Sequence, residues 1–377
     1  MAISPKVWVL LGNKAGGNGQ LTSLASALGW PYEKKQLVFN PLNRCPNLWL
    51  GASLTSLNRR RSSSLTPPWP DVVIAASRRS APVARWIKKQ SGGRTRLVHL
   101  LHTQAPFELF DLIITTPQYC LPPRQNVLHN TMALNRIAPE HLTAAAAQWE
   151  TRLVDLPRPY TVLLVGGNSS TYQLDLATAA DLGRQASAHV RTIGGSLLVS
   201  TSPRTSSSAA EALLAAIDCP AHCYRWRPND AENPYLAYLA LADSFIVTAD
   251  SASQVIEACL MGKPVSVFEW PSQFPFWLRM KAAPRRWLER QRDQTNGRGR
   301  AERQNGLARL YDHLVYLGLI RPTRDFDAYW QALKQRGLIA RFGEVAHALP
   351  HQPLDDMERA VARIRQLFAD GEQRAHE

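Results

Sequence analysis

A carboxylate stands in an otherwise apolar helical pattern at Thr248–Val265 (TADSASQVIEACLMGKPV). Ser253 and Glu257 are four residues apart, so the two side chains face the same way from the first turns of that helix. A helix N-terminus attracts phosphate groups. A carboxylate beside it can accept hydrogen bonds from both hydroxyls of a ribose. The pattern predicts a nucleotide contact at Glu257, with a structural pair between this glutamate and a nearby arginine as the alternative.

Small, hydroxylated and cationic residues follow three predicted strands in this half of the chain. The strands 161–165, 195–200 and 245–248 run into GGNSST, TSPRTSSS and an Asp-Ser pair, and Ser251 or Ser253 is expected to cap the next helix. Ligands of open α/β sheets bind at the carboxyl ends of strands. We therefore predict a phosphate-bearing ligand, bound by Gly166, Gly167, Asn168, Thr201, Ser202, Arg204, Asn233, Asp250, Ser251, Ser253 and Glu257.

The first half of the chain offers a second set of candidates. A glycine-rich loop is predicted at Asn13–Gln20, and its glycines would permit positive φ and close backbone approach. It is not a P-loop, because Asn18 stands where that motif requires lysine, and it is not a GxGxxG dinucleotide motif. The acceptor or anion-binding candidates are Gly16, Gly17, Gln20, Arg78, Arg79 and Gln104, and the catalytic candidates are His102 and Lys14. A tight turn, a solvated helix start and a structural histidine are the alternatives.

Apolar strands alternate with helical patterns throughout, which predicts parallel sheets covered by helices on both faces. The prolines of Leu156-Pro-Arg-Pro159 interrupt this pattern and indicate a domain boundary. The predicted fold class is α/β, with two Rossmann-like doubly wound domains. Residues 1–156 would form the first domain and residues 157–377 the second, with the last helix packing back on the first domain. Residues 40–70 are expected to be a loop-rich insertion rather than packed structure.

The chain is basic, with a formal net charge of +14 over 377 residues and five scattered cysteines. The charge favours anionic partners, and the cysteines indicate free thiols in a reducing compartment. The run Val7–Leu11 is too short to span a bilayer and lacks a secretory cleavage pattern, which favours a cytoplasmic protein.

Aromatic and cationic side chains alternate over residues 272–303. This stretch fits an anionic membrane surface, which would make the protein peripheral at the inner face of the membrane. The alternatives are ordinary packing with a solvated arginine-rich loop, and a nucleic acid. No nucleic-acid motif accompanies the stretch, so a nucleic-acid partner is not expected.

Several of these segments together resemble a known family. The pattern Asp250-Ser-x-Ser-x-x-x-Glu257-Ala-x-x-x-Gly262-Lys-Pro-Val265 resembles the nucleotide-sugar segment of GT-B glycosyltransferases. The first 270 residues or so resemble the mitochondrial-fission ELM family, a bacterial and plant group with a GT-B-like fold. The matching segments are Gly12–Gly17 with Gln20, Asp71–Arg79, Ala84-Arg85-Trp86, Gly92–Thr95, Val98-His99, Asn126-Val127, Val165–Asn168, Ser200–Thr205 and Asn233–Tyr235. Asn13-Lys14 departs from the family pattern, in which an aspartate precedes the lysine.

The resemblance implies two Rossmann-like domains facing a cleft, with residues 1–156 as the acceptor side and residues 157–377 as the nucleotide-sugar side. For such a fold we expect a metal-independent glycosyltransferase with no cofactor, because no Asp-x-Asp motif stands at a strand end. Helix N-termini and Arg204 would stabilise the charge of the leaving group, and the first domain would supply the base, from His102 or Lys14. Plant members of the family recruit fission machinery at the mitochondrial surface. The alternative is therefore a non-catalytic scaffold with a vestigial nucleotide-sugar cleft and a protein partner.

Overall fold

The computed structural model describes residues 4–13, 15–135, 137–169, 172–270, 306–320, 325–344 and 355–374. Internal contacts divide the chain into two units. Unit 1 comprises Met1–Asn135, Met280–Tyr329 and Leu354–Glu377, and unit 2 comprises Arg136–Arg279 and Trp330–Pro353.

Each unit contains a six-stranded parallel sheet. The strands are β1 Val7–Leu11, β2 Tyr32–Gln36, β3 Val72–Ala76, β4 Arg96–Leu100, β5 Leu112–Thr115, β6 Val127–His129, β7 Tyr160–Leu164, β8 Ser196–Ser200, β9 Ala221–Tyr224, β10 Ser244–Thr248, β11 Val265–Phe268 and β12 Ala340–Arg341. The described helices are α1 Ala15–Leu28, α2 Asn47–Leu50, α3 Ser77–Gln90, α4 Pro139–Glu150, α5 Leu176–Ile193, α6 Ser207–Ala215, α7 Tyr235–Leu241, α8 Ala252–Leu260, α9 Gly306–Tyr316, α10 Phe326–Gln335 and α11 Asp356–Arg374.

The sheet of unit 1 has the order β2-β1-β3-β4-β5-β6 and is covered on both faces. Side chains of α3 and α9 pack with Trp8 and Leu10 on one face, and side chains of α1 and α11 pack with Val7 and Val9 on the other. Because both faces of the sheet are buried, its central strands consist of consecutive apolar residues. Their positions could therefore be predicted from the sequence. The strand order switches at β1, because β2 pairs on one side of β1 and β3 on the other.

Two parts of unit 1 differ from the sequence expectation. Residues 40–70 are mostly irregular, as expected, but they are packed: Leu54, Leu57 and Leu65 are buried in the core beside α3. The strand β2 was missed, because its sequence YEKKQ has one buried position in five. An edge strand needs no apolar run, since only one of its sides pairs with the sheet.

The sheet of unit 2 has the order β12-β11-β10-β7-β8-β9. It begins at β7, proceeds outward to β8 and β9, and returns to place β10 on the opposite side of β7. The switch point therefore lies between β7 and β10, where the carboxyl ends of the strands diverge and leave room for a ligand. The predicted α/β class with two Rossmann-like doubly wound domains is confirmed.

The division by contacts starts unit 2 earlier than the prolines at 157–159 suggested. Helix α4 packs on α7, and Trp149 meets Tyr238 edge to face at 6.4 Å between ring centroids. Trp149 also meets His222 at 5.5 Å. These aromatic contacts attach residues 139–150 to unit 2. Helix α11 lies in unit 1, where Ala360 and Ile364 are buried beside α1. Among the helices described, none is long and apolar enough to cross a membrane.

Candidate functional site

Three loops of unit 2 meet at the carboxylate of Asp250, which follows β10 at the switch point. Its Oδ2 accepts a hydrogen bond from the amide of Gly167, after β7, at 2.9 Å. The same oxygen accepts from Nη1 of Arg204, after β8, at 2.5 Å. The Asp250 side chain is 0% exposed, whereas that of Arg204 is 36% exposed. One buried carboxylate thus joins the ends of three neighbouring strands and holds a cation at their surface.

The two glycines after β7 are required by this packing. A Cβ atom on Gly166 would lie 2.2 Å from Oδ2 of Asp250. Gly167 has φ +131°, and a Cβ there would lie 2.2 Å from the carbonyl oxygen of Arg204. No side chain fits either position, and the φ of Gly167 disfavours any L-residue. The glycines therefore allow the loops after β7 and β8 to touch.

Most hydroxyl and amide groups expected to bind a ligand instead bind these loops to each other. Thr205 Oγ1 donates to the carbonyl of Gly166 at 2.6 Å, and the hydroxyl of Ser202 donates to the same carbonyl. Asn168 donates its amide to the carbonyl of Arg204 at 2.9 Å. Thr201 accepts the amide of Trp226 through Oγ1 at 2.8 Å. These contacts hold the site rigid before any ligand arrives.

Burial raises the pKa of Asp250, and the positive charge of Arg204 opposes that rise. Its second oxygen, Oδ1, has no hydrogen-bond partner within the described ranges. The carboxylate is therefore organised around Arg204 and Gly167, and the charge of Arg204 is partly offset by its partner.

The N-terminus of α8 has no side-chain cap among the described residues. Ser251 occupies the N-cap position with φ −116° and ψ 76°, and its side chain makes no capping hydrogen bond. Ser253 lies exposed in the first turn and does not cap the helix either. The expected serine cap is therefore absent, since the backbone angles of Ser251 do not bring its hydroxyl onto the first-turn amides. Amides without a side-chain acceptor at a helix start are a ready site for an anion.

Glu257 lies one turn further along α8, where the hydroxyl of Tyr235 donates to its Oε2. Burial raises the pKa of Glu257, and it raises the pKa of Tyr235 well above its usual value, so the phenol remains protonated and donates. Asn233 Oδ1 accepts the amide of Tyr235 at 3.0 Å, which fixes the start of α7. Glu257 forms no ion pair with any described residue. The sequence placed Asn233–Tyr235 among the family segments, but no local pattern indicated that Tyr235 contacts the glutamate.

The glycine-rich segment of unit 1 is not a loop. Helix α1 begins at Ala15, so Gly16, Gly17 and Gln20 lie in its first turns, and Gly17 has no positive φ. The side chain of Asn18 holds both the amide and the carbonyl of Gly12, at 2.9 and 2.8 Å. These two hydrogen bonds, between residues six positions apart, fix the entry to the helix, a role that residue type alone did not indicate. Lys14 lies outside the described residues.

Arg78 serves the fold of unit 1. It lies in the first turn of α3, and its Nη1 and Nη2 donate to the carbonyls of Cys45 and Asn43 at 3.0 and 2.5 Å. Arg79 is half-buried in the same turn. The expected anion contact at Arg78 thus competes with a structural role already observed.

His102 is buried, and its Nδ1 accepts the amide of Gln104 at 2.9 Å. Gln104 has φ +50°, so the pair forms a tight turn after β4. An Nδ1 that accepts a hydrogen bond is not available to take a proton from a substrate. The predicted membrane-contacting stretch 272–303 lies outside the described ranges.

A profile described as Mitochondrial fission ELM1 matches residues 15–283 of this chain. The chain belongs to the mitochondrial fission ELM1 family. The family predicted from the sequence motifs is thereby confirmed.

The individual proteins that this chain is similar to share less than a third of their aligned residues with it. Mitochondrial fission protein ELM1 of Arabidopsis thaliana is 28% identical over 52% of this chain, and the match spans about half, 51%, of that relative. An uncharacterized protein of Rickettsia prowazekii (strain Madrid E) is 25% identical over 71% of this chain and 84% of its own length. Among solved structures, a UDP-glucosyltransferase from Polygonum tinctorium is similar with a TM-score of 0.45 and 10% identity, covering 97% of this chain and 99% of that one.

Proposed function

We propose that unit 2 binds a nucleotide-sugar donor at the carboxyl ends of β7, β8 and β10, and that the protein is a GT-B-type glycosyltransferase acting on an unidentified acceptor. The observation that carries the proposal is the Asp250 junction, which brings Gly167 and Arg204 together at the switch point. The junction holds the guanidinium of Arg204 at the carboxyl edge with 36% of its side chain exposed, where it is available to an anionic ligand.

The proposed division of labour follows from the chemistry of each group. The uncapped amides of α8 and the exposed part of Arg204 would meet the diphosphate, whose negative charge grows as the sugar leaves. The Glu257 carboxylate would accept the ribose hydroxyls, with its orientation held by Tyr235. This arrangement needs neither cofactor nor metal ion to receive the phosphate charge.

The test is calorimetric titration with a panel of UDP-, GDP-, CMP- and ADP-sugars. One nucleotide class should bind, and Glu257→Gln should weaken that binding by about ten- to a hundredfold, as expected for lost hydrogen bonds to a charged acceptor. Glu211→Gln removes an exposed glutamate on α6 and should leave the affinity unchanged.

A ribose contact has a sharper signature. The wild type should bind the 2′-deoxy form of the same nucleotide more weakly than the ribose form, and Glu257→Gln should bind the two forms almost equally. Absence of binding across the whole panel, or a Glu257→Gln variant that still discriminates the two forms, would contradict the proposal.

A second candidate function is a non-catalytic scaffold. Two observations favour it. The family that matches this chain is named for mitochondrial fission and not for a transferase. The imidazole of His102, expected to act as a base, is buried in a turn. A scaffold would retain its protein partner when Glu257 is replaced by alanine. Affinity capture from lysate with the wild type and Glu257→Ala therefore separates the two functions, because a donor-dependent partner would be lost.

A further inference from the structure

Three large apolar side chains project from one short segment of unit 1, residues 40–61. Leu42, Leu48 and Trp49 are 48%, 63% and 78% exposed, and Trp49 is the most exposed large hydrophobic side chain described. Leu48 and Trp49 lie on α2, a single helical turn, and Leu42 lies in the 3₁₀ turn Pro41–Arg44 that precedes it. A soluble surface rarely presents a tryptophan in this way unless it meets a partner.

The segment is firmly attached, so this exposure is a feature of the fold. Asn47 is buried, and its Nδ2 donates to the carbonyls of Arg78 and Thr103 at 2.8 and 2.9 Å. Arg78 in turn donates to the carbonyls of Asn43 and Cys45. Arg78 begins α3 after β3, and Thr103 follows β4. The exposed side chains are thus tied to the carboxyl edge of the unit 1 sheet.

The charges of the segment have a single sign. Residues 40–61 contain Arg44, Arg59, Arg60 and Arg61 and no aspartate or glutamate. All four arginines are exposed. The base of the segment is closed by the Phe39–Leu57 bridge and by the amide of Asn58, which donates to the carbonyl of Val38 at 2.7 Å. Arg59–Arg61 therefore emerge directly from the closed base that carries the apolar residues.

This combination selects one partner chemistry. Tryptophan and leucine beside arginine are the side chains that enter the interfacial layer of a bilayer, where the cations meet anionic headgroups. A symmetric contact between two copies would place four arginines against four others with no acid between them. A nucleic acid would offer no apolar surface for the two leucine side chains.

We propose that the 40–61 segment docks this protein on an anionic membrane surface. Leu42, Leu48 and Trp49 enter the interfacial layer, and Arg44 and Arg59–Arg61 contact lipid phosphates. The inference does not depend on the donor site in unit 2. It places the lipid surface beside the carboxyl ends of β3 and β4, the edge at which a membrane-borne molecule would reach unit 1.

The experiment is co-sedimentation of the full chain with vesicles of phosphatidylcholine, alone or mixed with phosphatidylglycerol. The wild type should bind the mixed vesicles, and binding should weaken as salt screens the arginines. Because each cation strengthens such binding by about fivefold, replacing Arg59, Arg60 and Arg61 by glutamine should weaken it by on the order of a hundredfold. Trp49→Ala should weaken it by about tenfold.

Matched controls remove the same groups elsewhere. Trp226→Ala removes another exposed tryptophan, and a triple variant with Arg94→Gln, Arg184→Gln and Arg336→Gln removes the same net charge. Both should bind like the wild type, with unchanged urea midpoints for all variants. Failure of the wild type to bind mixed vesicles would overturn the proposal. So would segment variants that bind as well as the controls, or a Trp49→Ala effect seen as a change of oligomeric state by light scattering instead of in vesicle binding.

Discussion

Nη1 of Arg204 lies 2.5 Å from Oδ2 of Asp250, a residue 46 positions away that has no exposed side-chain surface. The same oxygen receives the amide of Gly167. Since the three loops involved follow neighbouring strands, this single acceptor determines the shape of the carboxyl edge of the unit 2 sheet. The charged groups at this edge act as one structural unit.

Asp250→Asn should destabilise unit 2 by about 1–3 kcal/mol, because Asp250, unlike Glu257, is ion-paired, and removing the charged partner of Arg204 outweighs the relief of burying a carboxylate. The amide of asparagine can still accept from Gly167, so the fold should persist. Urea unfolding measures the change. Asp181→Asn, which removes an exposed carboxylate paired with Arg184, should change stability by less than about 0.5 kcal/mol. Equal effects of the two substitutions would contradict the structural role of Asp250.

Gly167→Ala should lower the free energy of unfolding by more than about 2 kcal/mol. The new Cβ would clash with the backbone of Arg204, and the positive φ of residue 167 disfavours alanine. The added methyl should also abolish nucleotide binding in any assay that detects it. Gly19→Ala is the matched substitution: the position is helical, and nothing lies within 4 Å of the new Cβ. The free energy of unfolding of that variant, measured in urea, should increase by about 0.5–1 kcal/mol. A tolerated Gly167→Ala would show that the loops after β7 and β8 do not need to touch.

Glu257→Gln should make the protein more stable near neutral pH. Burial raises the pKa of Glu257 above its unfolded value of 4.5. The folded state therefore favours the protonated carboxyl, and this contribution is complete below the unfolded pKa and lost as pH rises through the folded pKa. Glutamine carries no such penalty and still accepts from Tyr235. Urea unfolding near pH 7 should show a gain that disappears near pH 4.

A gain in stability combined with a loss of nucleotide binding would mark Glu257 as a residue kept for function at the expense of stability. The exposed Glu211→Gln should change neither. If Glu257→Gln were destabilising near neutral pH, the charge of the carboxylate would instead stabilise the fold.

His99 should make unit 1 sensitive to acid. It lies fully buried on β4 against Phe110, and burial lowers its pKa from 6.5 to about 4. Between pH 6.5 and 4 the imidazole is protonated in the unfolded chain but neutral in the folded chain. The free energy of unfolding therefore falls as pH drops from 6.5 towards 4, by roughly 3 kcal/mol in all. His99→Leu should flatten this part of the stability profile measured by urea unfolding. His141→Leu, at an exposed position of α4, should leave the profile unchanged, and an unaltered profile in His99→Leu would contradict the assignment.

The sequence alone determined the fold class and the edge of the sheet that carries the candidate residues. Buried parallel strands must be apolar along their whole length, so β1, β3, β7 and β10 were visible as runs. Their carboxyl ends lie at one edge of each sheet, which made Asp250 and Gly167 candidates together. The family motifs were also legible, because they consist of residue types at fixed local spacing.

Tertiary structure decided which of these residues meet, and in what role. Asp250 and Gly167 are 83 positions apart, and Tyr235 and Glu257 are 22 apart. Such pairs depend on how separate loops fold over a sheet edge, which no local periodicity encodes. The same limit hid the attachment of Arg78 to the carbonyls of Asn43 and Cys45, 35 and 33 positions away. Short-range pattern follows from the chemistry of neighbouring residues, whereas a hydrogen-bond partner across a sheet edge is fixed only when both loops have been placed.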